Sequence, residues 1–453
     1  MELFTTNPKA FNRTMSFCTV PWTFQAIKNN GDVRVCCQMN SGPGLRGVLY
    51  KPDGSAYNAS TDSLRESRNA DFIRDVRASM MRGEWHPSCV RCEREEASGI
   101  ESKRIMDAVI PYNRHITPES VQEYTGPDGT LNLERAPDVV HYDLRFGNLC
   151  NLKCTMCGPR DSHQWYEDHV ALHGTTHWQD QDGTRVELKP DSKGRLTTDY
   201  YDWHYKQNFW DELTLNIPTM RQVYMAGGEP LLIDSHYDFL ERCIELGRAN
   251  KIIIEYNTNL TVLPQRARDL WQHFKRVRLG VSLDGIGAHL EYQRFPAKWD
   301  AISANLQIIE QLPDNCTARL SATITPYTVW HIPDFMYWKL TQGFTRINPN
   351  SHAPIISYHP VHKPMYNNIT VLLPELKEQL TQHYEQAKTM FTQFSSNEQH
   401  HVYKILDSIC NFAHAQDNSH LFYSDFVKTT QQLDRLRNKN ILDIEPRYTQ
   451  YFN

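Results

Sequence analysis

VVHYDLRFGNLCNLKCTMC (139–157) runs from a β-rich stretch straight into three closely spaced cysteines, and the order of those two features decides the fold. VVHYDL (139–144) is rich in β-branched and aromatic side chains and reads as a strand. CNLKCTMC (150–157) then sets Cys150, Cys154 and Cys157 at spacings of four and three, in a segment that fits neither helix nor strand periodicity. A closed structural zinc or a fully ligated iron-sulfur cluster takes four protein ligands, so three close thiols point to a site with one position open for a substrate or cofactor. A loop that follows a strand directly, in a chain of alternating strands and helices, lies on the face of a parallel sheet where active sites gather.

Outward from this loop the alternation continues. Between residues 138 and 348, short β-rich runs alternate with helical ones, the pattern of βα units on a parallel sheet. The further strand candidates are QVYM (222–225), IIIEY (252–256), VRLGV (277–281), ARLSATI (318–324) and FTRI (344–347). Together they predict an α/β fold, a partial (β/α)6 barrel of the TIM type. Gly174–Asp199 is too long and too polar for a plain connection and reads as a lid or insert. Residues 349–453 form a helical C-terminal region, in which Leu376, Leu380, Tyr384, Ala387, Phe391 and Phe394 follow a 3.6-residue stripe and are expected to face a core. Residues 1–105 are expected to form a small α+β domain with a helix over Ser63–Met81, joined to the barrel by a linker over 106–137.

The 453 residues include no apolar run long enough to span a membrane and no charged-then-apolar leader, so a soluble cytoplasmic protein is expected. A formal net charge of −5 argues against a broad phosphate-binding surface, and neither nucleic acid nor membrane is expected as a partner. Eleven cysteines in such a setting read as thiols and metal ligands rather than disulfides. Cys243, Cys316 and Cys410 sit in apolar patterns and read as small buried hydrophobes. The other eight fall in two groups.

At the ends of the strands after the cysteine loop stand YMAGGEP (224–230), YNTNL (256–260) and SLDG (282–285), which a parallel barrel would bring to one rim. Gly227 and Gly228 allow backbone to approach a ligand closely, and Glu229 offers a carboxylate to an ammonium group. Asn257, Asn259, Ser282 and Asp284 supply polar groups for hydroxyls or a carboxylate.

With CxxxCxxC met by Cys150, Cys154 and Cys157, and GGEP by Gly227–Pro230, the chain resembles the radical S-adenosylmethionine (radical SAM) enzymes. The resemblance implies a 4Fe-4S cluster on the three cysteines, S-adenosyl-L-methionine on the remaining iron, and reductive cleavage to a 5′-deoxyadenosyl radical that abstracts a substrate hydrogen. It also implies that Glu229 contacts the methionine amine, that Ser282 and Asp284 contact the ribose or carboxylate, and that Arg294 in EYQRF meets the carboxylate. Met156 stands where the family usually has an aromatic residue, and its thioether can pack on the adenine ring. An electron donor such as flavodoxin or ferredoxin is implied as partner.

The N-terminal cysteines form a different pattern. CTVPW, NNGDVRVCC and GEWHPSCVRC bring Cys18, one of Cys36 and Cys37, and the pair Cys89 and Cys92 toward one closed four-ligand site, for which a zinc ribbon is the bland alternative. The segment resembles the twitch domain, a shortened SPASM domain holding an auxiliary 4Fe-4S cluster, here placed before the barrel. Strand alternation sets Cys37 on the face of Val33 and Val35 and favours it, whereas the family likeness points to Cys36, the ligand taken here.

A second cluster beside a radical site supplies an acceptor for the electron released when a substrate radical is oxidised. The resemblance therefore implies an oxidoreductase or maturase that modifies a peptide or protein side chain. A small-molecule or nucleotide-derived substrate is the alternative, and a noncatalytic iron-sulfur electron carrier a third, disfavoured by the GGEP and SLDG segments. No residue stands out as a second hydrogen donor.

Overall fold

The computed structural model describes residues 16–39, 47–99, 101–181, 183–348 and 355–452. Its centre is one mixed but mostly parallel sheet of eight strands: β1 (Phe24–Ile27), β2 (Val33–Arg34), β3 (His141–Phe146), β4 (Gln222–Gly227), β5 (Ile253–Thr258), β6 (Arg276–Ser282), β7 (Cys316–Ile324) and β8 (Ser357–Pro360). The order across the sheet is β8-β7-β6-β5-β4-β3-β1-β2, and every neighbouring pair is parallel except β1 with β2. From β3 to β8 each strand lies beside the next in sequence, which parallel pairing permits only through crossover connections. Helices Trp165–His173, Asp234–Glu245, Gln265–Trp271, Trp299–Ile309 and Ile332–Thr341 lie in those crossovers. The side chains that interleave sheet and helices, such as Leu144, Val223, Ile254, Leu279 and Leu320, are all fully buried.

Two features depart from the expected strands. FTRI (344–347) is not one: its Ile347 makes only an isolated bridge with Ala318, and the strand beside β7 is β8. The reason is local, because the N–H groups of Thr345, Arg346 and Ile347 donate to the Glu310 carboxylate at 2.7, 2.9 and 3.0 Å, which uses the donors a ladder would need. The second is β1, which pairs in parallel with β3 from Phe24↔His141 to Ile27↔Leu144, so the N-terminal segment extends the central sheet. The helix expected over 63–81 forms as Leu64–Ser67 and Asp71–Met81, the first capped by the Ser63 side chain.

The segment over 174–199 folds as two small hairpins, His177–Gln179 with Arg185–Glu187 and Lys189–Pro190 with Leu196–Thr197. The C-terminal region contributes helices Pro374–Ala387, Ser396–His414 and Ser419–Arg437, and Leu376, Leu380, Tyr384, Ala387 and Phe391 of the predicted stripe are buried. Of the expected boundaries, the one at residue 349 lies outside the described residues. Among the described residues no helix is long and apolar enough to cross a membrane.

Candidate active site

The cysteine loop after β3 is held by its backbone. Cys150 N–H donates to His163 Nδ1 at 3.2 Å, Lys153 N–H to the Phe295 carbonyl at 2.7 Å, and Thr155 N–H to the Gln293 carbonyl at 2.8 Å. The Cys154 carbonyl accepts from Trp165 Nε1 at 3.0 Å, and that of Thr155 from Asn367 Nδ2 at 2.8 Å. Lys153 Nζ lies 2.6 Å from Asp168, which Arg437 of the last helix also approaches at 3.1 Å. An irregular loop with its polar groups satisfied on several sides keeps its side chains in place.

What the loop presents is a cavity of about 450 Å³ lined by all three thiols. Burial pushes the Cys150 thiol up to about 12, with the neighbouring Cys154 adding to it. Met156, Gly227, Gly228, Asn257, Asn259, Ser282 and Arg294 line the same cavity, so residues from β4, β5 and β6 and the loops behind them meet at the cysteines. Asn259 Nδ2 lies 3.8 Å from Cys150 Sγ and donates to Asn151 Oδ1 at 3.0 Å.

Glu229 and Asp284 are not among the residues that line the cavity. Glu229 is 1% exposed, and its carboxylate accepts from Thr258 Oγ1 at 2.8 Å, Leu231 N–H at 3.1 Å and Asn259 N–H at 2.7 Å. It ties the turn after β4 to the end of β5 behind the cavity wall. Asp284 is fully buried and holds Arg294: its oxygens lie 2.7 Å from Nε and 2.8 Å from Nη2, and also accept from Gln293 Nε2 at 2.6 Å and Thr323 N–H at 2.7 Å. Arg294 faces the cavity and Asp284 positions it. The glycines, too, are required by the chain itself. A side chain at Gly228 would sit 2.2 Å from the Leu149 carbonyl oxygen, and Gly227 has φ +123° with the Phe146 backbone 2.7 Å from where its Cβ would stand. The pair lets the cysteine loop cross directly over the end of β4.

Burial raises the Glu229 carboxyl to about 7, against the pull of its three donors. Between the ordinary carboxylate range and that value the folded chain keeps a proton that the unfolded chain releases, so the contribution of Glu229 to stability falls as pH rises through this window. Glu229→Gln would turn an amide NH2 toward an N–H that needs an acceptor. It is expected to destabilise the chain by about 1–3 kcal/mol at pH 8 in anaerobic urea denaturation, and a cost near zero would mean that the carboxylate does not hold the turn.

A second, much smaller pocket is lined by Cys18, Cys36, Cys89 and Cys92, with Lys103 and Arg104 behind them. Cys37 lines the first cavity instead. β2 ends at Arg34, so strand alternation no longer governs the two cysteines, and they face different spaces. Among the described residues no three His, Cys, Asp or Glu side chains converge on a point where one metal ion would sit.

Residues that the sequence did not place here also line the first cavity: Lys28, Arg34, Cys37 and Arg145 from the side of β1, β2 and β3, and Arg160 and Asp180, which pair with each other. Asp180 belongs to the 174–199 insert. Asn30 Nδ2 donates to Tyr200 Oη at 2.9 Å, which joins the N-terminal segment to the chain just past the insert.

No family model matches the chain, and no curated protein matches it. Among solved structures it is similar to native anSMEcpe with bound AdoMet, with 14% identity over 56% of this chain and 60% of that one and a TM-score of 0.34. It is also similar to Streptococcus suis SuiB bound to S-adenosylmethionine, with 15% identity over 65% of this chain and 57% of that one and a TM-score of 0.33. A third is TYW1 with a lysine-pyruvate adduct bound, with 13% identity over 54% of this chain and 72% of that one and a TM-score of 0.27. The chain thus spans 60% of the first and 57% of the second.

Proposed function

We propose that the chain is a radical S-adenosylmethionine enzyme built on a partial (β/α)6 barrel with an N-terminal twitch domain, acting on a peptide or protein side chain. The observation that carries this is the meeting of Cys150, Cys154 and Cys157 with the Gly227–Gly228 backbone, Asn259, Ser282 and Arg294 around one cavity. Three thiols that border a space, with polar groups on its other walls, fit a 4Fe-4S cluster that has one iron without a protein ligand. When bound, that cluster supplies the electron that cleaves the C5′–S bond of S-adenosylmethionine to methionine and a 5′-deoxyadenosyl radical.

The chain's own residues bind and orient. Arg294, fixed by Asp284, offers its guanidinium to the methionine carboxylate, and backbone groups at Gly227 and Gly228 face the amine. Asn257 and Ser282 are placed for the ribose hydroxyls, and Met156 for the adenine ring. The Glu229 carboxylate holds the wall on which these groups stand. Arg160 and Asp180, paired with each other, also line the cavity.

Cys18, Cys36, Cys89 and Cys92 are the proposed ligands of the auxiliary 4Fe-4S cluster, a set of four thiols around one pocket. Cys36→Ala is then expected to lose that cluster and Cys37→Ala to keep it, as read by iron content and by electron paramagnetic resonance. An intact auxiliary cluster in Cys36→Ala would refute the assignment. For the reading as a whole, protein purified without oxygen is expected to hold about eight irons per chain, and stoichiometric zinc in their place would overturn both cluster sites.

A further inference from the structure

A second large space adjoins the catalytic cavity, and the proposed chemistry uses none of its residues. It is a cleft of about 680 Å³ between two stretches far apart in sequence, with Tyr50 and Asn58 on one wall and Asp199, Asp202, Tyr205 and Lys206 on the other. That volume is in the range of ligand-binding clefts. Asn30 lines both spaces. Its Nδ2 donates to Tyr200 Oη and its carbonyl accepts from Asn58 Nδ2, each at 2.9 Å, so one residue ties the two walls together beside the catalytic cavity. Tyr200 Oη also donates to Asp180 Oδ2 at 3.4 Å, and Asp180 belongs to the catalytic cavity.

Two independent features mark the cleft. Tyr50, at 48% exposure, and Tyr205, at 57%, are the only Phe, Tyr or Trp side chains left exposed among the described residues, and both line it. Exposed aromatic rings gathered at one place are characteristic of surfaces that bind a partner. The second feature is charge. Of the charged residues that line the cleft, Asp32 is taken up by Asn30 Nδ2 at 2.7 Å, Asn58 Nδ2 at 3.3 Å and Lys28 at 3.9 Å, and it offers nothing to a ligand. Asp199 and Lys206 are exposed and Asp202 is half-buried, and their side chains make no hydrogen bond or ion pair among the described residues. Burial raises the Asp202 carboxyl above its ordinary range, and the charge of Asp199 raises it further, by more than Lys206 offsets. The open wall of the cleft is therefore acidic, with exposed rings beside it.

We infer that this cleft docks the substrate polypeptide where it continues beyond the catalytic cavity, and that it selects a chain carrying an arginine or lysine there. Carboxylates bind a guanidinium or ammonium by charge-assisted hydrogen bonds, and tyrosine faces attract the same cations. A polypeptide with one residue at the thiols must leave the catalytic cavity, and the cleft that shares Asn30 with that cavity lies beside its exit. The inference rests on the proposed peptide substrate, and it adds the side chain that such a substrate carries near the modified residue.

The test is calorimetric titration of the anaerobic cluster-loaded protein with acetyl-Gly-Arg-Arg-Gly amide, with the same peptide carrying neutral citrulline in place of arginine, and with maltotetraose. The arginine peptide is expected to bind at least about fivefold more tightly than the citrulline peptide, and Asp199→Asn combined with Asp202→Asn is expected to remove that difference. Tyr205→Ala, at an exposed position, is expected to weaken the arginine peptide about threefold or more, and it decides alone if the double variant does not fold. Asp314→Asn removes a 97% exposed carboxylate outside the cleft and is expected to change nothing, which separates docking from general attraction to a chain of net charge −5. Equal binding of the two peptides, no binding of either, or as large a loss in Asp314→Asn as in the cleft variants overturns the inference. Binding of maltotetraose without binding of the arginine peptide overturns it in favour of a saccharide. Formation of 5′-deoxyadenosine is measured separately in the same samples, so a failure of the radical reading is seen apart from a failure of docking.

Discussion

Replacing Cys150, Cys154 and Cys157 together with Ala is expected to remove about four of about eight irons and to abolish cleavage of S-adenosylmethionine, while the second cluster stays in place. The two thiol sets line separate cavities, so loss of one set leaves the ligands of the other untouched. The substitutions themselves disturb little packing, because the loop is fixed by backbone hydrogen bonds to His163, Gln293 and Phe295 rather than by its sulfurs. The variant should therefore fold, keep the auxiliary signal in electron paramagnetic resonance, and form no 5′-deoxyadenosine. Full iron content in the triple variant would place the cluster elsewhere.

Asp284→Ala is expected to be among the most costly single changes in the chain, about 3–5 kcal/mol in anaerobic urea denaturation. It would leave the buried Arg294 guanidinium, the Thr323 N–H and the Gln293 amide without their acceptor. The loss would also free Arg294 to leave the cavity wall, so S-adenosylmethionine binding should weaken in parallel. Asp284→Leu combined with Arg294→Met separates the two effects. Removing both charges avoids the unpaired guanidinium, so the double variant should recover much of the stability and none of the binding. A loss below about 1 kcal/mol in Asp284→Ala, or normal cofactor affinity in the double variant, would show that Arg294 has no such role.

Much of the fold could be read from hydrophobic pattern alone. β3 to β7 lie within a few residues of the β-rich runs that predicted them, since β-branched, aromatic and other apolar side chains mark these runs and every second position is buried along β5 and β7. β8 was missed because SYHP is short, polar and only half-buried, while the more apolar FTRI had its backbone donors taken by Glu310. The pairing of β1 with β3 joins residues more than a hundred positions apart, and nothing local in FQAI marks it. That pairing is also why these cavity-lining residues escaped the sequence: Lys28 and Arg34 belong to the segment expected to stand apart as a separate domain.

The rim residues were legible as a group but not in their individual roles. A motif such as GGEP shows which residues lie near a site, yet not which way each side chain turns. Glu229 and Asp284 turn away from the cavity, toward the backbone and toward Arg294, because a buried carboxylate needs several donors and finds them there. The glycines likewise answer to the crossing of the cysteine loop over the end of β4, a contact that exists only once the sheet has formed.

The most direct measurement is the product formed when S-adenosylmethionine is incubated without oxygen with the iron-loaded protein and a strong reductant. The expected result is 5′-deoxyadenosine and methionine in equal amounts, formed by the unaltered protein and not by the variant lacking Cys150, Cys154 and Cys157. S-adenosylhomocysteine as the sole product, or no consumption of S-adenosylmethionine by protein that holds its full iron, would contradict radical chemistry at this cavity.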